Sequence, residues 1–506
     1  MSTKSRNWIA ALAAASFPIS LSIGAACCNY AANAVLKPPA QAATVANPAS
    51  HPPAPLTTAA IARESVLPTT PDANPDTDSI LTDGIRFDSS LDRGAVMAGG
   101  DGLVRMELRI ASEHEPVANA RRATDLVVVL DESGSMSGDK IADARAAAHE
   151  LLAQLSAEDR FALVSFDSSV DQRIPLDYAT PDTRPGMRRA IDRVAAGGGT
   201  EMQLGLSVGA EQHQAQTGRA ARTILISDGL PNSSDGLVAL ARSFARSETP
   251  LTTVGIGSDY DEQLMVELAD AGTGNFYWVT QGQDLAAIFG HELSTAQETV
   301  ATGLQVGLEL GRGVELVDAS GYPVSIVGGR AMFDVGTLYA SQERSFWVTL
   351  RVPAAAEGSR EVAMPSLSWR TPESASLASV TLEPCSVSVV QEQQRFLASL
   401  DSEAWGRSVI EEEYNVLRNQ VGQAVQAGDM AQAQASIDAY TARNYSLNEH
   451  VDNQEVWDNF DEVAALEQQV QQQFEGEAQG ARQNYFAKTL NRLSYGGRRQ
   501  GQAKGY

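Results

Sequence analysis

Near-continuous apolar, β-branched runs of strand length occupy residues 126–130, 161–166, 223–226 and 251–256, with a shorter one at 275–279. Between them lie stretches with helical apolar spacing, at 140–155, 183–195, 201–214, 235–247, 261–271 and 284–293. A strand without a polar face must be covered on both sides, so this alternation predicts a doubly wound, mostly parallel sheet within residues 121–296.

On either side the period changes to two. Residues 104–110, 304–310, 346–352 and 387–390 alternate, punctuated by Gly311-Arg312-Gly313, Gly328-Gly329 and Val352-Pro353. This predicts antiparallel β structure at 81–120 and 297–392. Domain ends that lie close together permit insertion into a host loop. The flanks are therefore expected to form one antiparallel β-sandwich with the α/β unit inserted in it, two separate small β units being the alternative. Past Gln391 the chain turns to Gln, Glu and Ala, and 409–427, 430–444, 456–474 and 481–493 read as helices with a break and cap at Gly428-Asp429. Residues 393–506 are thus expected to form an α-helical region whose Tyr and Phe serve packing.

The N-terminus carries a different signal. Lys4 and Arg6 precede an apolar stretch at 8–26, and Ala32-Asn33-Ala34 offers a cleavage site, so 1–34 reads as an export signal. Gly24-Ala25-Ala26-Cys27 resembles a bacterial lipoprotein box, departing from it at Gly24, where a larger aliphatic residue is usual. Lipidation of Cys27 as a membrane tether is the second expectation for this segment. Residues 35–80 are rich in Pro, Ala and Thr and read as an extended linker. The acidic stretch 72–83 lacks the glycine and terminal Glu of an EF-hand loop, so it too is assigned to the linker. The expected location is the bacterial periplasm, outer membrane or cell surface.

Length and charge narrow the function. A chain of 506 residues exceeds one ordinary core. A net charge of −25 argues against nucleic acid, whose binding rests on a cationic surface. Of three cysteines only Cys385 would survive removal of 1–34, which excludes an intrachain disulfide and leaves Cys385 as a small buried hydrophobe. Glu411-Glu412-Glu413 reads as the solvated face of a helix, and the basic stretch 492–504 as a frayed tail.

The candidate chemistry lies where strands end. Asp131, Ser133 and Ser135 form a D-x-S-x-S run after the first apolar strand, while Thr200 follows three glycines and Asp228 follows the strand at 223–226. Taken singly, each could be turn or cap chemistry. Together they offer two carboxylates and three hydroxyls at the carboxyl ends of parallel strands, where ligands of such sheets bind. Mg²⁺ takes small oxygens at about 2.0–2.1 Å and keeps waters, so this donor set suits it, with Mn²⁺ or Ca²⁺ also possible. About two negative charges leave the ion electrophilic enough for one carboxylate from outside.

The segments Asp131-Glu132-Ser133-Gly134-Ser135-Met136, Gly197-Gly198-Gly199-Thr200 and Ser227-Asp228-Gly229 resemble the three motifs of the von Willebrand factor A domain and its metal-ion-dependent adhesion site. The resemblance covers roughly residues 121–296. It implies that Asp131, Ser133, Ser135, Thr200 and Asp228 hold a divalent cation, directly or through water, and that the ion receives an Asp or Glu carboxylate of a protein partner. Met136, Met202 and Leu230 are candidates for the surrounding specificity, or for core positions.

Catalytic signatures are missing. His291-Glu292 has no second His at the zincin spacing and reads as a solvated helix, Ser133 lacks a G-x-S-x-G elbow, and no phosphate-binding G-x-x-x-x-G-K-[ST] loop occurs. The reading is a non-enzymatic, exported protein-binding or adhesion module. The alternatives are an envelope scaffold in which the metal only stabilises loops, and an accessory to an ATP-driven machine, which the export signal disfavours. A shift of the helix at 284–293, joined to the second β flank, would offer mechanical coupling to the sandwich.

Overall fold

The structure, a computed structural model, describes residues 78–115, 122–213, 218–257, 259–280, 284–371, 376–475 and 479–499. The expected export signal, Cys27 and all but the end of the 35–80 linker lie outside these residues.

The central sheet is built from β1 (Thr124–Asp131), β2 (Arg160–Phe166), β3 (Val170–Tyr178), β4 (Ala220–Ser227), β5 (Leu251–Ile256) and β6 (Thr273–Val279). They lie in the order β6-β5-β4-β1-β2-β3, parallel throughout except for β3. The helices are α1 (Asp139–Gln154), α2 (Arg184–Asp192), α3 (Met202–Gln212), α4 (Leu237–Arg246), α5 (Glu262–Ala271) and α6 (Leu285–Gln297). Alternate residues of β1 feed opposite cores. Leu126, Val128 and Leu130 pack with α1 and α6, whereas Val127 and Val129 pack with α3, α4 and α5. This is why the run showed no polar face. The antiparallel edge strand β3 was not evident from apolar pattern, since it carries Asp171, Arg173, Asp177 and Pro175, a composition an edge tolerates.

The flanks form two antiparallel sheets over a single core. One contains Asp78–Thr82, Ile85–Leu91, Leu103–Ser112, Glu343–Arg351 and Glu315–Ala319 in that order. The other is centred on Arg330–Tyr339, Thr299–Leu310, Gly358–Arg370 and Cys385–Val390, with Ala95–Met97 added in parallel at its edge. Leu103–Ser112 and Glu343–Arg351 pair in unbroken register from Leu103↔Arg351 to Ala111↔Glu343. The α/β unit is thus inserted between segments of one β-sandwich. Apolar residues of both sheets, among them Phe87, Met106, Val306, Phe346 and Trp369, share its core, and Cys385 is buried there. The first strand starts at Asp78, inside the stretch read as linker, and turns at Asp83-Gly84 with φ of 50° and 69°. A D-G pair in left-handed conformation is a hairpin signal that outweighs the acidic composition.

C-terminal helices span Tyr414–Gln426, Met430–Val451, Gln454–Gln473 and Gln479–Arg498. Asp429 caps the second by accepting from Gln432 N at 2.9 Å. Two expectations fail here. Glu412 and Glu413 are buried in a π turn, Ser408–Glu413, rather than solvated. Glu413 meets Arg105 at 2.8 Å, Glu412 meets Arg498 at 3.1 Å, and Glu411 accepts from the Trp347 indole at 3.0 Å. Nor is the basic end frayed as far as Arg499. That guanidinium is 4 % exposed, reaches Asp270 at 2.7 Å and covers the Tyr322 ring at 3.6 Å. Partners distant in sequence turn both charge runs inward. Among the described residues no helix is long and apolar enough to cross a membrane.

Candidate metal centre

Neighbouring parallel strands deliver the two carboxylates. β1 and β4 are in register to Leu130↔Ile226, so Asp131 and the Ser227-Asp228 pair leave the sheet side by side. A short 3₁₀ turn, Gly134–Met136, follows Asp131 and anchors itself by burying Met136. The third loop is tied to the first by Gly134 N to Gly198 O at 3.2 Å and Gly197 N to Glu132 O at 2.6 Å. Gly198 has φ of +74°, which the loop needs to double back. Thr200 is fixed by its carbonyl, which accepts from Asn232 N at 3.0 Å.

Asp131, Ser133, Ser135 and Asp228 are linked by hydrogen bonds, and the Thr200 hydroxyl lies near them. The Ser135 hydroxyl donates to Asp228 Oδ1 at 2.7 Å and lies 3.0 Å from the Ser133 hydroxyl. Asp131 Oδ1 accepts from Ser133 N at 2.7 Å, and its Oδ2 from the Ser227 hydroxyl at 2.5 Å. Gly229 reports the convergence directly. A Cβ there would stand 3.4 Å from Ser135 Oγ, 3.8 Å from Thr200 Oγ1 and 4.0 Å from Asp131 Oδ2.

Asp131 and Asp228 are both fully buried, an arrangement costly without compensation. Burial pushes the Asp131 carboxyl above its ordinary value, opposed by hydrogen bonds from Ser227 and Ser133, with the charge of Asp228 adding to the rise. Lys140, which sequence reasoning missed, is ion-paired with Asp228 Oδ2. Its position at the start of α1, nine residues after Asp131, was the available signal. Glu132 turns away from the cluster to Arg173 at 2.8 Å.

The donor set is hard oxygen, with two carboxylates and three hydroxyls about one point, and it fits a small divalent cation. Among the described residues no three His, Cys, Asp or Glu side chains gather into a metal-binding group, so the hydroxyls are essential to any such fit. Of the apolar candidates, Met136 and Met202 are core residues, 0 % and 1 % exposed, whereas Leu230 stands 62 % exposed beside the Asp228 loop. His291-Glu292 departs from expectation. Glu292 is fully buried, accepting from Thr252, Asn275 and Tyr277 at 2.8–2.9 Å, because Arg222 of β4 supplies its counter-charge.

Residues 125–291 match the family model of the von Willebrand factor type A domain. The chain carries an A domain. An uncharacterised protein, sll0103, of Synechocystis sp. is 26% identical over 227 residues, 44% of this chain and 52% of that protein. The uncharacterised YfbK of Escherichia coli is 28% identical over 198 residues, 37% of this chain and 34% of that one. The aligned part therefore spans only about half and a third of the lengths of these curated relatives. A solved structure described as von Willebrand factor type A from Catenulispora acidiphila superposes with a TM-score of 0.61 at 15% identity, over 84% of this chain and 98% of that one. That likeness concerns the fold, and it extends past the A domain into the sandwich and helices.

Proposed function

We propose that this chain is an exported protein-binding or adhesion module whose A domain takes a carboxylate of a protein partner through a divalent cation held by Asp131, Ser133, Ser135, Thr200 and Asp228. Mg²⁺ is the first choice, with Mn²⁺ or Ca²⁺ as substitutes. The observation that carries this reading is that oxygens of Ser135, Thr200 and Asp131 surround the Gly229 position, while Ser133 and the buried Asp228 are hydrogen-bonded to Ser135. When bound, the ion supplies an electrophilic position for an acidic side chain.

The chain's own residues do the rest. Burial of Asp131 and Asp228 makes a dication welcome, and the hydroxyls add ligands without further charge. Backbone hydrogen bonds among the loops at 132–134, 167, 197–201 and 232 tie the loops of the cluster to one another. This favours an ion used for binding over one needed only to stabilise loops in an envelope scaffold. Leu230 gives the rim an apolar contact, and Cys27 would supply a membrane tether.

The test is capture from envelope extract on the immobilised full chain, with Mg²⁺ and with chelator. Capture should need Mg²⁺ and be lost in Asp131→Ala, Ser133→Ala. Undiminished capture by that variant refutes the mechanism. Metal-dependent stability with metal-independent capture would instead favour the scaffold. Acyl labelling of the natural chain, absent in Cys27→Ala, tests the tether.

A further inference from the structure

Asp228 divides its two carboxylate oxygens between different neighbours. Oδ1 accepts from the Ser135 hydroxyl at 2.7 Å, within the hydroxyl cluster, whereas Oδ2 is ion-paired with Lys140. Lys140 is the second residue of α1, and its ammonium also lies 3.4 Å from the Ser135 carbonyl. Its side chain is 32 % exposed and runs past Gly257, after β5, where an added Cβ would lie 3.7 Å from Lys140 Cε. The ammonium is therefore held at the rim of the cluster, on the oxygen that Ser135 leaves free.

The charges at this point decide what the ammonium does. Asp131 and Asp228 contribute two negative charges, Lys140 one positive charge, and Glu132 is matched by Arg173. Two carboxylates alone would just neutralise a divalent cation. With the ammonium beside them the loaded site carries one positive charge in surplus, in surroundings where charges are only weakly screened. Resting on the metal reading above, we infer that Lys140 is a resident counter-cation: it limits how tightly the dication is held and leaves a surplus charge that only an anionic ligand relieves. It is a positioning residue as well, since it fixes which oxygen of Asp228 faces the cluster.

Charge and orientation are separable. Lys140→Gln keeps a hydrogen-bond donor and discards the charge, while Lys140→Arg keeps both. Calorimetric titration of the full chain with Mg²⁺ should show Lys140→Gln binding at least about tenfold tighter than the natural chain, with Lys140→Arg close to natural. Lys140→Met, verified as folded by circular dichroism, serves as a second charge-removing variant and should also tighten binding. Because each charge-neutral variant abolishes the surplus, Mg²⁺-loaded Lys140→Gln should bind acetate more weakly than the loaded natural chain. Mg²⁺ binding by the natural chain with no tightening in Lys140→Gln overturns this inference alone. If neither binds Mg²⁺ above the level of Asp131→Ala, the metal reading falls with it.

Discussion

Arg222 donates from Nη2 to the Tyr339 hydroxyl at 2.6 Å, joining the middle of the A domain's sheet to the host sandwich. The same guanidinium places its Nε 3.2 Å from Glu292 of α6, and all three groups are buried. One arginine thus serves two parts of the molecule. Arg222→Met strands Glu292 without a counter-charge and should cost about 3–5 kcal/mol. Tyr339→Phe removes one hydrogen bond and should cost about 1 kcal/mol. Denaturant unfolding of both variants checks the ordering, and equal losses would contradict it.

His213 supplies a pH dependence. Its ring is 2.7 Å from the Thr223 hydroxyl, and burial pushes its pKa down from 6.5 to about 4. Between those values the unfolded chain binds a proton that the folded chain refuses, so stability falls as pH drops from 6.5 towards 4. From pH 7 to pH 5 the natural chain should lose about 2 kcal/mol more than His213→Gln, read from denaturation at the two pH values.

Gly205 lets α3 lie against β2. A Cβ there would meet Phe166 Cδ1 at 2.6 Å and Phe166 Cβ at 3.0 Å. Gly205→Ala should destabilise by about 1–3 kcal/mol through forced separation of helix and sheet. Because Thr200 leads directly into α3, the same variant should also weaken Mg²⁺ binding, measurable by titration.

Arg499 fastens the last helix to both bodies, through Asp270 of α5 at 2.7 Å and through the Ser320 carbonyl of the sandwich. Arg499→Ala leaves Asp270 with its charge poorly compensated and should open Gln479–Arg498 to local unfolding. Limited proteolysis should then cut that helix first, while the natural chain resists.

The sheet, its helices and the five clustered side chains were legible because each is encoded within a few residues: an apolar run, a helical period, a strand followed by D-x-S-x-S. What escaped the sequence depends on partners far along the chain. Glu412 and Glu413 look solvated until Arg498 and Arg105 are brought beside them, and Glu292 looks like a surface acid until Arg222 is placed opposite. Lys140 escaped for another reason. A lysine opening a helix looks like ordinary surface, and only the fold shows Asp228 under it. The strand β3 hid because an edge needs no apolar run.

The unbroken pairing of Leu103–Ser112 with Glu343–Arg351 brackets the whole A domain. Leu103 and Arg351 face each other at the outer end of this pairing, so a pull through the chain on either side of the two segments opens the ladder one pair at a time from that end, and tension reaches the inserted domain only once the pairing has parted. The inserted domain therefore stays outside the load path for as long as the host pairing holds.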